Sequence, residues 1–390
     1  MLRYLTAGES HGPSLTAILE GLPANLKIDI EAVNHQLWRR QQGHGRGFRM
    51  KIESDTIEIL SGVRFLHTLG TPLAFVIANR DYKNWTNRMD PTATKPENLA
   101  VVTKPRPGHA DLSGYLKYEL DDIRDVLERA SARNTATLVA VGAIARQLLA
   151  EFSITVYSHV VQIGHESIQE DRLQGQSIEE IALHAEASSV RVADEKAQKN
   201  MIAEIDRAKE AGNTVGGIFE VVATGVPVGL GSYAMPDRRL DARLAGAVMG
   251  IQAIKGVEIG LGFEAARKPG SQVHDAIYHQ EQKGFYRDRN GAGGIEGGVS
   301  NGEPIVVRAA MKPIPTLYKP LDSVDVVTKE AFVAAIERSD ACAVPAASVV
   351  GENTVAFVLA EALIEKFGGD SIQEMRRNYD SYIKRMQERS

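Results

Sequence analysis

The sequence holds a single cysteine, Cys342, in 390 residues. A disulfide within the chain is therefore impossible, which excludes a disulfide scaffold and fits a reducing compartment. Aromatic residues are scarce, at 6% with two tryptophans. Long apolar runs are missing too. The longest near a helix covers 136–145 and is closed by Arg146 and Gln147. A membrane-spanning helix needs about 20 apolar residues. The opening MLRYLTAGES has no apolar stretch of the kind that precedes a secretory cleavage site. Positive charge is not in excess: the formal net charge is −5, which argues against a nucleic-acid binder. A cytoplasmic protein without membrane contact is the expected reading. No metal-ligand spacing joins the histidines, and Cys342 has no obvious partner histidine.

What is present is a globular composition, with 43% hydrophobic and 24% charged residues. There is no internal repeat and no low-complexity linker. Strands and helices do not alternate strictly, so one large α+β domain over 1–390 is predicted rather than a doubly wound sheet. RYLTAG, SLTAILEG, IEIL, PLAFVIAN, ITVYSHVVQIG, IFEVVATGVP, GVEIG and PIVVRAAM read as strands. Residues 30–40, 133–152, 237–250, 345–367 and the C-terminal SIQEMRRNYDSYIKRMQ read as helices, and 166–212 as a charged helical region. The 133–152 helix is apolar nearly all round between 136 and 145, so it is expected to be buried. The last helix opens with a capping box, Ser371 and Glu374. Its stripe of Ile372, Met375, Tyr379, Ile383 and Met386 reads as core or subunit docking. Residues 82–104 form a polar surface loop just before His109. GLGFEA matches a loose dinucleotide pattern, but Pro269 and Gly270 leave no room for the helix such a turn must open.

Two histidines lie on glycine-lined turns, His11 in TAGESHGP and His109 in PRPGHAD. Near neutral pH they are candidates for acid–base work. RRQQGHGRGFRMK carries Arg39, Arg40, Arg46, Arg49 and Lys51, with no acid between Glu31 and Glu53. Planar arginine forks suit carboxylate and phosphate. A small polyanion, nucleic acid and plain solvated surface all remain open for this segment. ERASARN places Ser131 before the apolar helix, where it can cap the helix or help hold a phosphate. NGAGGIEGGVSNGEP has five glycines between 291 and 298 and precedes a strand, as a mobile loop or as backbone pressed on a flat ligand. MKPIPT sets Lys312 beside Pro313 and Pro315. ERSDACAVPAA flanks Ser339 with Arg338 and Asp340. These residues lead to an enzyme acting on a small, multiply anionic molecule, but not to its reaction.

GESHGP, RRQxGxGRG, RPGHAD, ERxSAR, GGIEGGxSNG, KPIPT and RSDxCAVPAA, in this order, resemble the chorismate synthase family over nearly the whole chain. One departure is His44, where relatives often carry tyrosine. The resemblance implies a β-α-β sandwich with antiparallel sheets inside and helices outside, assembled as a homotetramer. It implies anti-1,4-elimination of phosphate from 5-enolpyruvylshikimate 3-phosphate to give chorismate, with reduced FMN required and no net redox change. A phosphatase or lyase on a related anionic sugar acid is the alternative. His11 would assist phosphate departure, His109 would hydrogen-bond or protonate the reduced flavin, and Asp340 would relay a proton at the flavin. Arg40, Arg46, Arg49, Arg106, Arg133 and Arg338 would surround the phosphate and carboxylates. Ser131, Ala132, Arg133, Gln252, Ala253, Gly297, Lys312, Pro313, Ile314, Pro315, Thr316 and Arg338 match FMN-binding positions. Arg40 and Arg46 also match positions assigned to NADP(H), and NADPH or an external flavin reductase would supply the reduced flavin.

Overall fold

The computed structural model describes residues 1–46, 54–281, 284–333 and 340–389, apart from the side chains of 170 and 171. The chain opens with a hairpin of β1 (Arg3–Ala7) and β2 (Ser14–Glu20), whose turn carries His11. Helix α1 (Ile30–Gln41) follows, capped by Asp29, which accepts from the Ala32 N–H at 3.0 Å. Strands β3 (Glu58–Ser61) and β4 (Leu73–Ala78) complete an antiparallel sheet in the order β1-β2-β4-β3. Leu15, Ala17 and Leu19 of β2 lie opposite Ile77, Phe75 and Leu73 of β4, and all six are buried. This is the period-two face of a strand with one side on the core.

Short helices α2 (Asp111–Tyr118) and α3 (Ile123–Ala130) lead into α4 (Thr135–Ala150). Next come β5 (Thr155–Ile163), β6 (Glu166–Ser167), α5 (Ile178–Ala187), α6 (Glu195–Glu210) and β7 (Gly217–Thr224). After α7 (Leu240–Met249), β8 (Ile254–Ile259) and β9 (Ile305–Met311) complete a second antiparallel sheet, ordered β8-β9-β7-β5-β6. Helices α8 (Val344–Phe367) and α9 (Ile372–Arg389) close the chain.

The α+β class and the β-α-β sandwich are as the resemblance implied, with one difference in layer order. Helices α4 and α8 form the middle layer, α4 against β2 and α8 against β5 and β7. The reason is composition: both are apolar on nearly every side, so only a position between two sheets removes them from water. Small residues let them approach. A Cβ on Gly142 of α4 would lie 2.1 Å from the Asn353 carbonyl of α8. Length and composition alone would let α8 cross a membrane, yet most of it is buried here. Pro345 stands in its first turn, and Gly368 and Gly369 at positive φ end it.

The 82–104 loop holds a 3₁₀ turn (Arg80–Asn84) and a helical turn (Thr86–Met89). GLGFEA leads into a 3₁₀ turn, Gly262–Arg267, and not an α-helix. Half of the expected capping box forms: Ser371 Oγ accepts from the Glu374 N–H at 3.3 Å, but the Glu374 carboxylate turns to the Asp370 N–H.

Glu352 of α8 is buried among arginines. Arg39 donates to it at 2.8 and 3.1 Å, Arg146 is ion-paired with it, and Arg191 lies 3.7 Å away. Burial alone would raise its carboxyl, but Arg39 and Arg146 outweigh this and hold it at about 2. That is below the ordinary 4.5, so this stabilisation is complete above pH 4.5 and is lost as pH falls toward 2. The melting temperature is expected to drop through this window. Glu352→Gln leaves buried cations without their counter-charge, which costs about 3–5 kcal/mol at pH 7. It should also flatten the acid dependence. Parallel melting-temperature curves for parent and variant would remove Glu352 from that linkage.

Candidate active site

The β1–β2 turn exists because Gly8 adopts φ +106, where a Cβ would fall 2.3 Å from the Ser14 carbonyl. Behind the turn stands Glu128 of α3, completely buried. It accepts from Ser10 Oγ at 2.5 Å and from the His11 N–H at 2.8 Å, and His11 Nδ1 lies 2.9 Å from both its oxygens. Burial alone would raise this carboxyl, but the hydrogen bonds from His11 and Ser10 prevail and hold it at about 2. Trp85, from the 82–104 loop, stacks on the imidazole at 4.0 Å between centroids.

Asn79 ties this turn to the arginines. Its Nδ2 donates to the Glu9 and Gly12 carbonyls, and its Oδ1 accepts from Arg133 Nε at 3.0 Å. Arg133 and Arg40 then share one oxygen of buried Asp55, at 2.7 and 3.0 Å. Arg40 also donates to Thr135 Oγ1. Burial, together with Arg133 and Arg46, pushes the Arg40 guanidinium down to about 10 against the pull of Asp55. Ser131 Oγ accepts from the Arg133 N–H and caps the turn Ala132–Asn134 ahead of α4.

The His109 turn repeats the plan. His109 Nδ1 lies 2.5 Å from buried Asp111, which also takes Arg106 Nε at 2.8 Å. Burial would raise the Asp111 carboxyl, but His109 and Arg106 hold it far below the usual carboxylate range. Lys312 Nζ donates to the Gly108 carbonyl at 2.6 Å, bringing the KPIPT segment to this turn. The Lys312 N–H donates to the Ala253 carbonyl, and Thr214 Oγ1 to the Ile314 carbonyl. Ala253 holds φ +69, strained for a residue with a Cβ. Beside it, Gln252 Oε1 is buried with no hydrogen-bond partner among the described residues. Next to Thr214, the Val215 N–H donates to Ala341, whose own N–H donates to Gly45. This brings up Asp340, paired with Arg46 at 2.6 Å.

The structure thus gathers His11, Arg40, Ser131, Ala132 and Arg133 in one network. It gathers Arg106, His109, Gln252, Ala253 and 312–316 in another, with Arg46 and Asp340 alongside. Gly297 stands apart, at φ +58 in the turn of a small hairpin (Ile295–Glu296 and Val299–Ser300), near Tyr233. Arg49 and Arg338 lie outside the described residues. Arg39, part of the basic window, belongs to the Glu352 core network. His44, the departure from the family pattern, pairs with Asp206 of α6 at 2.8 Å. Burial pushes the Cys342 thiol up to about 12, which makes it inert at neutral pH. Sequence reading did not single out Glu128, Asp111, Asp55, Asn79 or Trp85. Glu128 and Asp111 stand inside quoted motifs, but their partners are fixed only by folding.

Both histidines turn Nδ1 to a buried carboxylate. An ionised carboxylate can only accept, so Nδ1 carries a hydrogen and Nε2 is left for chemistry, an acceptor in the neutral ring and a donor in the imidazolium.

A family model described as chorismate synthase matches residues 2–364. The chain is 58% identical to a chorismate synthase of Geobacter metallireducens, with 98% of each chain covered. It is 59% identical to that of Alkaliphilus metalliredigens, covering 98% of this chain and 99% of that one. A crystal structure of chorismate synthase shares 46% identity and a TM-score of 0.80, covering 99% of this chain and 98% of that one.

Proposed function

The chain belongs to the chorismate synthase family, and from that premise we propose how its own residues carry the reaction. It is a lyase: it eliminates phosphate and a ring hydrogen from 5-enolpyruvylshikimate 3-phosphate in the anti-1,4 sense and releases chorismate. The observation that carries the assignment of roles is the pair of turns, each presenting an imidazole with its Nδ1 bound to a buried carboxylate.

His11, in its imidazolium form with Nδ1–H on Glu128, presents Nε2–H to the departing phosphate and donates a hydrogen bond or proton to its oxygen. Arg46, Arg49, Arg133 and Arg338 hold the phosphate and the two carboxylates. Arg40 acts from behind, by orienting Asp55 and Arg133. Arg106 holds Asp111 and with it the His109 ring. Reduced FMN, when bound, supplies electron density that returns to it, so the reaction has no net redox change. The residues fit such a group: a buried amide oxygen at Gln252 without a described partner, strained backbone at Ala253, and the adjoining Lys312. Ser131, Ala132, Arg133, Gln252, Ala253, Gly297, 312–316 and Arg338 would hold it. His109 would meet it through Nε2, and Asp340 would pass the ring proton. NADPH serves as the outside reductant, through a separate flavin reductase. We assign the whole of 1–390 to one working unit, a homotetramer, in the cytoplasm.

Phosphate and chorismate are expected in equal amounts from 5-enolpyruvylshikimate 3-phosphate, read by a phosphate assay and by chorismate absorbance. Phosphate without chorismate would instead select a phosphatase on a related sugar acid.

A further inference from the structure

We infer that Glu128 and Trp85 are positioning residues for His11, fixing which ring nitrogen carries hydrogen and where the other nitrogen points. The inference rests on His11 acting at the substrate phosphate.

Four side chains form a closed ring of contacts. His11 Nδ1 meets Glu128 at 2.9 Å, and Glu128 takes Arg124 Nη1 at 3.2 Å. The Arg124 guanidinium lies 5.0 Å from the centre of the Trp85 ring, and Trp85 stacks on His11 at an interplanar angle of 28°. Asp81 anchors the indole by accepting from Nε1 at 3.0 Å. The imidazole is therefore held on its Nδ1 edge by a carboxylate and on one face by an indole. Glu128 also takes the Ser10 hydroxyl and the His11 N–H, so backbone and side chain of the histidine refer to one buried anion.

A hydrogen bond at one imidazole nitrogen decides the protonation of the other. Donation from Nε2 while Nδ1–H is bound to Glu128 requires the imidazolium. If Nδ1 lost its acceptor, that cation would lose its counter-charge and the ring could turn over, so that Nε2–H would no longer be held toward the leaving oxygen. Trp85 gives the 82–104 loop a task that its polar composition conceals: it closes one side of the histidine.

The test uses the full-length protein with reduced FMN under anaerobic conditions. Glu128→Gln keeps the shape of the side chain and removes its charge. A positioned acid is worth about 10²–10⁴ in rate, and a loosely held one should lose roughly 10–100-fold of that in kcat, with KM within about threefold. The second readout needs no turnover. Solid-state ¹⁵N spectra of histidine-labelled protein, with the His11 signals assigned by their loss in His11→Ala, should show hydrogen on Nδ1 in the parent. In Glu128→Gln they should show a mixed or Nε2-protonated ring. Trp85→Leu should lower kcat several-fold and broaden the same signals. Unchanged kcat and an Nδ1-protonated ring in Glu128→Gln would overturn the inference. If that variant does not fold, Trp85→Leu decides: normal kcat with sharp parental signals overturns it, and the loss described supports it. Normal turnover in His11→Ala would overturn the reading of His11 itself, and this inference with it.

Discussion

His11→Ala and His109→Ala are each expected to fold and to lose turnover by about 10²–10⁴-fold, yet to differ in the spectrum of bound reduced flavin. The two rings are built alike, with Nδ1 on Glu128 in one and on Asp111 in the other. Their neighbours differ. His11 leads through Asn79 to Arg133, Asp55 and Arg40, a cationic network suited to phosphate. His109 leads through Gly108 to Lys312 and on to Ala253, beside the Gln252 amide oxygen, which has no hydrogen-bond partner among the described residues. Loss of His109 should therefore change the protonation state of reduced FMN when substrate binds. Loss of His11 should leave it as in the parent. Anaerobic spectra of each variant with reduced FMN and substrate, beside a melting curve, check this. Identical flavin spectra would contradict the division of labour. If both were only turn residues, stability would fall while the folded fraction kept its activity.

Much of the fold was legible in local pattern. β2 and β4 stand out as short apolar runs, α4 is apolar on nearly all sides, and Pro345 and Gly368 bracket α8. Layer order was not legible, because an all-apolar helix says only that it is buried and not between which sheets. The site was legible as a set of motifs and not as a network. Glu128 lies 117 positions from His11, and Asp55 lies 78 from Arg133. A carboxylate that completes a histidine or pairs two arginines looks, along the chain, like any other acid. Glu352 hides in the same way, as one of three acids in a largely apolar helix; its arginine partners come from α1, from α4 and from the segment after α5. Trp85 hides because its loop is polar and its partner is brought up by the β1–β2 turn. Gly297 shows the converse: the family resemblance groups its motif with the flavin set, while its hairpin shares no described hydrogen bond with either network within one chain.

The largest effect of all should come from flavin. A site with two fixed imidazoles and a cationic network can assist phosphate departure, but these groups do not supply the electron density that the elimination needs in this family. Protein stripped of FMN, or given only oxidised FMN, should make no chorismate from 5-enolpyruvylshikimate 3-phosphate. Chemically reduced FMN added without oxygen should restore full turnover, with many products formed per flavin and no reductant consumed. The direct measurement is anaerobic chorismate formation, followed by absorbance, against a titration of reduced FMN with residual reductant counted at the end. The account predicts turnover that saturates with reduced FMN while the reductant count stays constant. Full turnover without flavin, or one reductant spent per chorismate, would contradict it.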